Sequence, residues 1–159
     1  MVSSSSSDLI SRAMQGGAAF LHVSRARDKV IVAPMHMNDA GIYYEQPNPW
    51  LIDHWPDSEK FGLAFREAFE KFKRQEKNLL DVKATDWPSF RVSKSSSVKA
   101  FERDYAPISC FSLNSSNTVV RAEMDHPTMP HLKISVVFNP LLDANSIGER
   151  LCELIEAAL

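Results

Sequence analysis

Between Ile108 and Phe138 three runs of strand-favouring residues follow one another: Ile108 to Leu113, Thr118 to Met124 and Leu132 to Phe138. Only the turn-like stretches Asn114-Ser-Ser-Asn117 and Asp125 to Pro130 separate them. Connectors that short close antiparallel hairpins and cannot make the crossover a parallel pair needs. In the last run Leu132, Ile134, Val136 and Phe138 alternate with Lys133, Ser135 and Val137, the pattern of a strand with one face buried. Near the other end, Ala18 to Val23 and Lys29 to Ala33 flank the polar stretch Ser24 to Asp28 and form a second hairpin, with Gly41 to Glu45 as a further short strand. No alternation of strand and helix occurs that would build βαβ units. The expected fold class is α+β, an antiparallel sheet of about five to six strands with helices packed mainly on one face.

The clearest helix is expected from Glu59 to about Glu76, capped by Asp57 or Ser58. Phe61, Phe65, Phe69 and Phe72 recur at helical spacing and mark its core-facing stripe, while Arg66, Glu67, Glu70, Lys71, Lys73 and Arg74 occupy the rest. Ser97 to Tyr105 reads as a short helix with Val98, Phe101 and Tyr105 inward. The last helix is expected from about Asn145, where Ser146 and Glu149 have capping-box spacing, with Ile147, Leu151, Leu154, Ile155 and Ala158 buried. Asp8 to Gln15 could add a short helix stopped by Gly16-Gly17. Pro47, Pro49 and Pro56 argue against regular structure in the loop after Glu45, and Asn78 to Ser96 reads as irregular.

A chain of 159 residues suits one domain, here residues 8–159 behind a serine-rich tail at residues 1–7 that is expected to be disordered. At this size a core stands without disulfides or metal. Cys110 and Cys152 sit in separate expected elements with no second cysteine nearby, so neither a disulfide framework nor a CxxC motif is present, and a reducing, cytoplasmic setting is expected. No apolar run reaches the roughly 18 residues of a membrane span, and the N-terminal tract lacks signal-peptide character. A net charge of −2 gives no basic excess for nucleic acid.

Catalytic chemistry finds little support. His126 and His131 are separated by Pro127 and Pro130, which prohibit the helical backbone on which zinc-binding histidine pairs sit. Asp125 could add an oxygen, but a polar hairpin turn accounts for the cluster better. His22, His36 and His54 have no partner at recognisable spacing. Both cysteines read as buried, inert thiols. No GxSxG, GxGxxG or GxxxxGK[ST] pattern occurs, so neither a nucleophile elbow nor a phosphate cradle is available. The expectation is a protein without catalytic residues, bound metal or cofactor.

Charge is distributed unevenly instead. From Val30 to Glu59 there is no lysine or arginine, and Asp39, Glu45, Asp53, Asp57 and Glu59 give the span a net charge of −5. Lys60 to Lys77, which follows, carries +3. Tyr43, Tyr44, Trp50 and Trp55 lie among the acids. Aromatic anchors with steering carboxylates suit a protein-binding surface for a basic partner. The plainer alternative is that the tryptophans pack the loop onto the core and the acids solvate it. Asp57 and Glu59 have a helix N-terminus to stabilise. The expected binding residues are therefore Asp39, Tyr43, Tyr44, Glu45, Trp50, Asp53 and Trp55.

Gly41-Ile-Tyr-Tyr-Glu-Gln-Pro47 with Pro49-Trp50, Asp86-Trp-Pro-Ser-Phe-Arg-Val-Ser93, and Ser97 to Tyr105 with the strand from Ile108 resemble the immunity proteins of bacterial contact-dependent growth inhibition systems. The resemblance runs from about Ala19 to Phe138 and consists of aromatic and proline landmarks. It implies a cytoplasmic protein, monomeric when free. Such a protein binds the C-terminal toxin domain of a large exoprotein one to one and blocks it by occlusion, without turnover. Many such toxins are nucleases with basic clefts, which suits the acidic span. The alternative from a different class is a secretion chaperone or effector adaptor, usually an obligate dimer. A small metal-dependent hydrolase built on Asp125, His126 and His131 is the third.

Overall fold

A computed structural model describes residues 16–53, 57–114, 116–123, 128–129 and 131–159. The expected serine tail, the short helix Asp8 to Gln15, and the residues His54, Trp55, Asp125 and His126 fall outside these. Among the described residues eight strands form one sheet. They are β1 (Ala18–Ser24), β2 (Val30–Met37), β3 (Tyr43–Glu45), β4 (Trp50–Ile52), β5 (Lys73–Arg74), β6 (Tyr105–Asn114), β7 (Asn117–Glu123) and β8 (Lys133–Phe138). Four helices accompany them: α1 (Ser58–Glu70), α2 (Pro88–Ser93), α3 (Val98–Asp104) and α4 (Ala144–Ala158). The order across the sheet is β3-β2-β1-β6-β7-β8, antiparallel along that path, with β4 and β5 also on β2. The fold is α+β, as the hairpin-length connectors require.

The two long helices lie on one face. Ala19, Leu21, Val23, Val30, Val32, Ile108, Cys110, Val120 and Ala122 meet Phe61, Phe65 and Ala68 of α1 and Ile147, Leu151 and Ile155 of α4 in the main core. The phenylalanine row splits by depth: Phe61 and Phe65 are buried, Phe69 and Phe72 only partly. A smaller cluster covers part of the opposite face, where Ile31, Phe101 and Tyr105 gather Leu51, Trp87 and Phe90 beneath α2 and α3. β1 and β2 are thus covered on both sides, which is why Val30 to Ala33 is uninterruptedly apolar.

Four boundaries differ from the sequence reading. Helix α1 ends at Glu70 rather than near Glu76, because Lys73 and Arg74 pair in parallel with His36 and Met37. Met37 O accepts from Gln75 N at 3.0 Å, and Lys71 O, a carbonyl the helix end leaves free, accepts from Gln46 Nε2 at 2.7 Å. Pairing with the sheet thereby overrides helix propensity. The proline loop is only partly irregular: Trp50–Ile52 returns to β2 as β4, opposite Val30 to Val32. β3 and β4 lie along the same edge of β2, and the excursion between them holds Pro47 and Pro49, which have no N–H to donate. Asn78 to Ser96 contains a 3-10 turn (Ala84–Asp86) and α2. Finally, α4 is capped by Asp143, whose side chain accepts from Ser146 N at 2.9 Å, while Glu149 accepts from Asn145 Nδ2 instead of closing a capping box.

Candidate functional site

β2 is the strand from which the site is built. Beyond Pro34 its outer edge carries β3 and its inner edge β5. After β5 the chain does not leave the sheet at once, because Tyr44 Oη donates to Gln75 O at 2.8 Å and Glu76 Oε2 accepts from Asp39 N at 2.9 Å. It then runs past Lys77 and Val82 into the 3-10 turn and α2. Between this returning segment and the β2–β3 wall lies a groove of about 1070 Å³. Phe20, Met35, His36 and Glu45 line it from the sheet, Tyr43 and Tyr44 from β3, and Val82, Trp87 and Arg91 from the returning segment.

Glu45 pairs with Met35, which puts its side chain on the α2–α3 face, beside His22. The two side chains are only 6% and 3% exposed. His22 Nε2–H donates to Glu45 Oε1 at 2.6 Å, and Ser89 N–H donates to Oε2 at 2.9 Å. Burial pushes the carboxyl pKa up. The hydrogen bonds from His22 and Ser89, with the His22 charge and the nearby Trp87 indole, outweigh that and hold it below the ordinary value. Around His22 stand Trp87, with ring centroids 5.2 Å away, and Phe101, at 5.1 Å. His36 is also buried in the groove wall. Burial lowers its pKa, the nearby Lys73 backbone works against this, and the charges of Lys73 and Lys77 add to the lowering, which favours the neutral ring.

The rim is apolar and open. Tyr43 is 49% exposed and stacks on Phe72 at 5.9 Å, Ile42 beside it is exposed, and Val82 across the groove is 40% exposed. Lys77 lies over the Tyr44 ring at 5.4 Å, and Arg91 is tied to Asp86 at 2.7 Å.

The expected binding residues do not form one surface. Tyr43, Tyr44 and Glu45 line the groove, but Glu45 points inward and cannot steer a partner. Asp39 and Asp53 are both exposed. They lie beyond opposite ends of β2, a strand about 23 Å long at ~3.3 Å per residue, so they make no joint patch. Trp50 packs against the main core, with Lys71 over its ring at 4.4 Å. Trp55 lies outside the described residues. The sequence reading missed His22, His36, Trp87, Ser89 and the returning segment. One usable signal was Trp87-Pro88, since proline at the first helical position announces α2.

Among the described residues no group of three His, Cys, Asp or Glu side chains stands close enough to hold a metal ion. Cys110 is fully buried and its thiol pKa is pushed far up by that burial. No described helix is long and apolar enough to cross a membrane.

No family model matches this sequence, and no curated protein matches it. Solved structures share its architecture. A protein of unknown function from Neisseria meningitidis superposes with a TM-score of 0.67 at 13% identity, over 91% of this chain and 94% of that one. A chain of a CdiA-CT/CdiI toxin and immunity complex from Yersinia pseudotuberculosis does so with a TM-score of 0.64 at 8% identity, over 92% and 99%. At these identities the likeness is one of fold.

Proposed function

We propose that this chain is a non-catalytic immunity protein that binds and neutralises a toxin domain of a contact-dependent growth inhibition system, with the groove and its Tyr43–Val82 rim as the contact face. The observation that carries the reading is that rim. Large apolar side chains stand half exposed around a concave surface, on a hydrogen-bonded frame, where no described residue covers them. Such a patch is characteristic of a protein-binding site. The shared fold with a chain of a toxin and immunity complex supports it, as do the aromatic landmarks of the sequence. Tyr43 and Tyr44 supply the anchors. Asp39 contributes at one end, Glu45 acts from beneath, and Trp50 and Asp53 belong to another part of the surface.

Co-expression with the C-terminal domain encoded immediately upstream tests the reading. A one-to-one complex on size exclusion with light scattering, in cells that die without this chain, is the expected result. A harmless neighbouring domain that forms no complex would remove the reading and favour a secretion chaperone, for which the free chain would be a dimer.

A further inference from the structure

We infer that Glu45 is the positioning residue of the groove: its buried carboxylate holds the wall formed by residues 84–93 against the sheet and so sets the shape offered to the partner. The wall itself is a property of the fold; only its use by a toxin rests on the function proposed above.

Three separate parts of the chain converge on this one side chain. His22 comes from β1, Glu45 from β3, and Ser89 and Trp87 from the wall, 44 positions along the chain from Glu45 in the case of Ser89. Ser89 N–H is one of the donors that the first turn of a helix leaves without a partner of its own. The Trp87 indole can only donate, and it stands near enough to the carboxylate to help lower its pKa. His22 and Ser89 N–H both donate, one to each oxygen, so a single ionised carboxyl satisfies the two together. Glutamine at this position would offer one oxygen and one NH₂, leaving a donor facing a donor inside the protein, where unmet hydrogen bonds are costly. The wall is also fastened by the packing of Trp87 and Phe90 with Ile31, Phe101 and Tyr105, by the Trp87–His22 ring contact and by the local Arg91–Asp86 pair. None of these ties it to β3.

His22 on β1 is the direct partner of Glu45 and His36 on β2 shares the groove; on the returning segment Lys77, Asp81 and Lys83 also line it, and Asp86 and Arg91 are paired with each other. Helix α3 presents the uncharged Phe101. Protonation of Glu45 therefore has no second carboxylate in this network to take its place.

Two readouts that need no partner test the inference. In Glu45→Gln, amide hydrogen exchange across residues 84–93 is expected to accelerate at least tenfold while α1 and α4 keep wild-type protection. In the wild type, the Trp87 indole N–H resonance, assigned through Trp87→Phe, is expected to move with pH as Glu45 titrates, with its midpoint below the ordinary glutamate value. Wild-type exchange in the wall of the variant, or equal loss of protection in α1 and α4, would overturn the inference. If the variant does not fold, the wild-type titration decides alone, and an indole signal that stays put through the carboxyl range overturns it. With the toxin domain present, Glu45→Gln is expected to raise the dissociation rate at least tenfold and leave the salt dependence of association unchanged. A loosened wall with unchanged affinity would take this wall out of the interface. Failure of the wild-type chain to bind any toxin domain would count against the immunity function and leave the exchange and indole results standing.

Discussion

Gly62 of α1 and Gly148 of α4 let the two long helices approach closely, each packed against the start of the other. A Cβ on Gly62 would fall 1.7 Å from Ala144 O, and one on Gly148 would fall 1.8 Å from Ser58 O. Both obstacles are backbone, so no rotamer change relieves them. Gly62→Ala or Gly148→Ala must push the helices apart and is expected to cost about 1–3 kcal/mol, the range for overpacking a tight core. Because both substitutions force the same displacement, the double variant should cost less than the sum of the two. Chemical denaturation of the three variants measures this. A fully additive or neutral outcome would mean the crossing is looser than described.

The acid side of the stability curve should carry the signature of Glu45. Its folded pKa lies below the ordinary value of 4.5. The carboxylate therefore contributes stability that is fully present above that ordinary value and is lost as pH falls through the folded one. Removing the acceptor leaves His22 Nε2–H and Ser89 N–H buried without a partner, so Glu45→Ala is expected to cost about 1–3 kcal/mol near neutral pH. Below the folded titration the difference between variant and wild type should shrink. Denaturation at a series of pH values checks both statements, and a variant penalty independent of pH would contradict them.

The sheet was legible because it depends on local patterns. Alternation in β8 and the short connectors around β7 need no distant contact to be read, and the helical period of Phe61 and Phe65 is equally local. What escaped was set by long-range pairing. Nothing near Lys73 announces that it will pair with His36, and the end of α1 follows from that pairing. The acid span was read as one charged surface because its residues are close in sequence. Strand geometry then put Glu45 inside and Asp39 and Asp53 at opposite ends of β2. Tyr43 and Tyr44 line the groove together because they are neighbours on one short strand, whereas the wall opposite them could not be placed without the fold.

Asp57 separates a structural acid from an interface acid. Its side chain accepts from Lys60 N at 3.0 Å and caps α1. Asp57→Ala is expected to lower stability by about 1 kcal/mol, the usual loss for an N-cap. Asp57→Asn should keep most of it, because asparagine caps equally well. Neither change should alter toxin-domain affinity by more than the loss of folded protein explains. Thermal melts with a binding titration measure both quantities, and an affinity loss in Asp57→Asn would assign this acid to the contact face.

Packing and steering at the rim make different demands on binding kinetics. Tyr43 lies half exposed on Phe72, so truncating it removes contact area without opening the core. If it anchors the partner, Tyr43→Ala should cost about 2 kcal/mol or more of affinity, the mark of an interface hot spot, and should act on the dissociation rate. Asp39 and Asp53 are exposed and far apart, and an isolated surface charge is screened within about 8 Å at physiological salt. Asp39→Asn with Asp53→Asn should therefore change the association rate less than threefold. Surface plasmon resonance at two ionic strengths separates the two effects. Dominance of the acids, with Tyr43 silent, would move the contact away from the groove and back to the charged edge of the sheet.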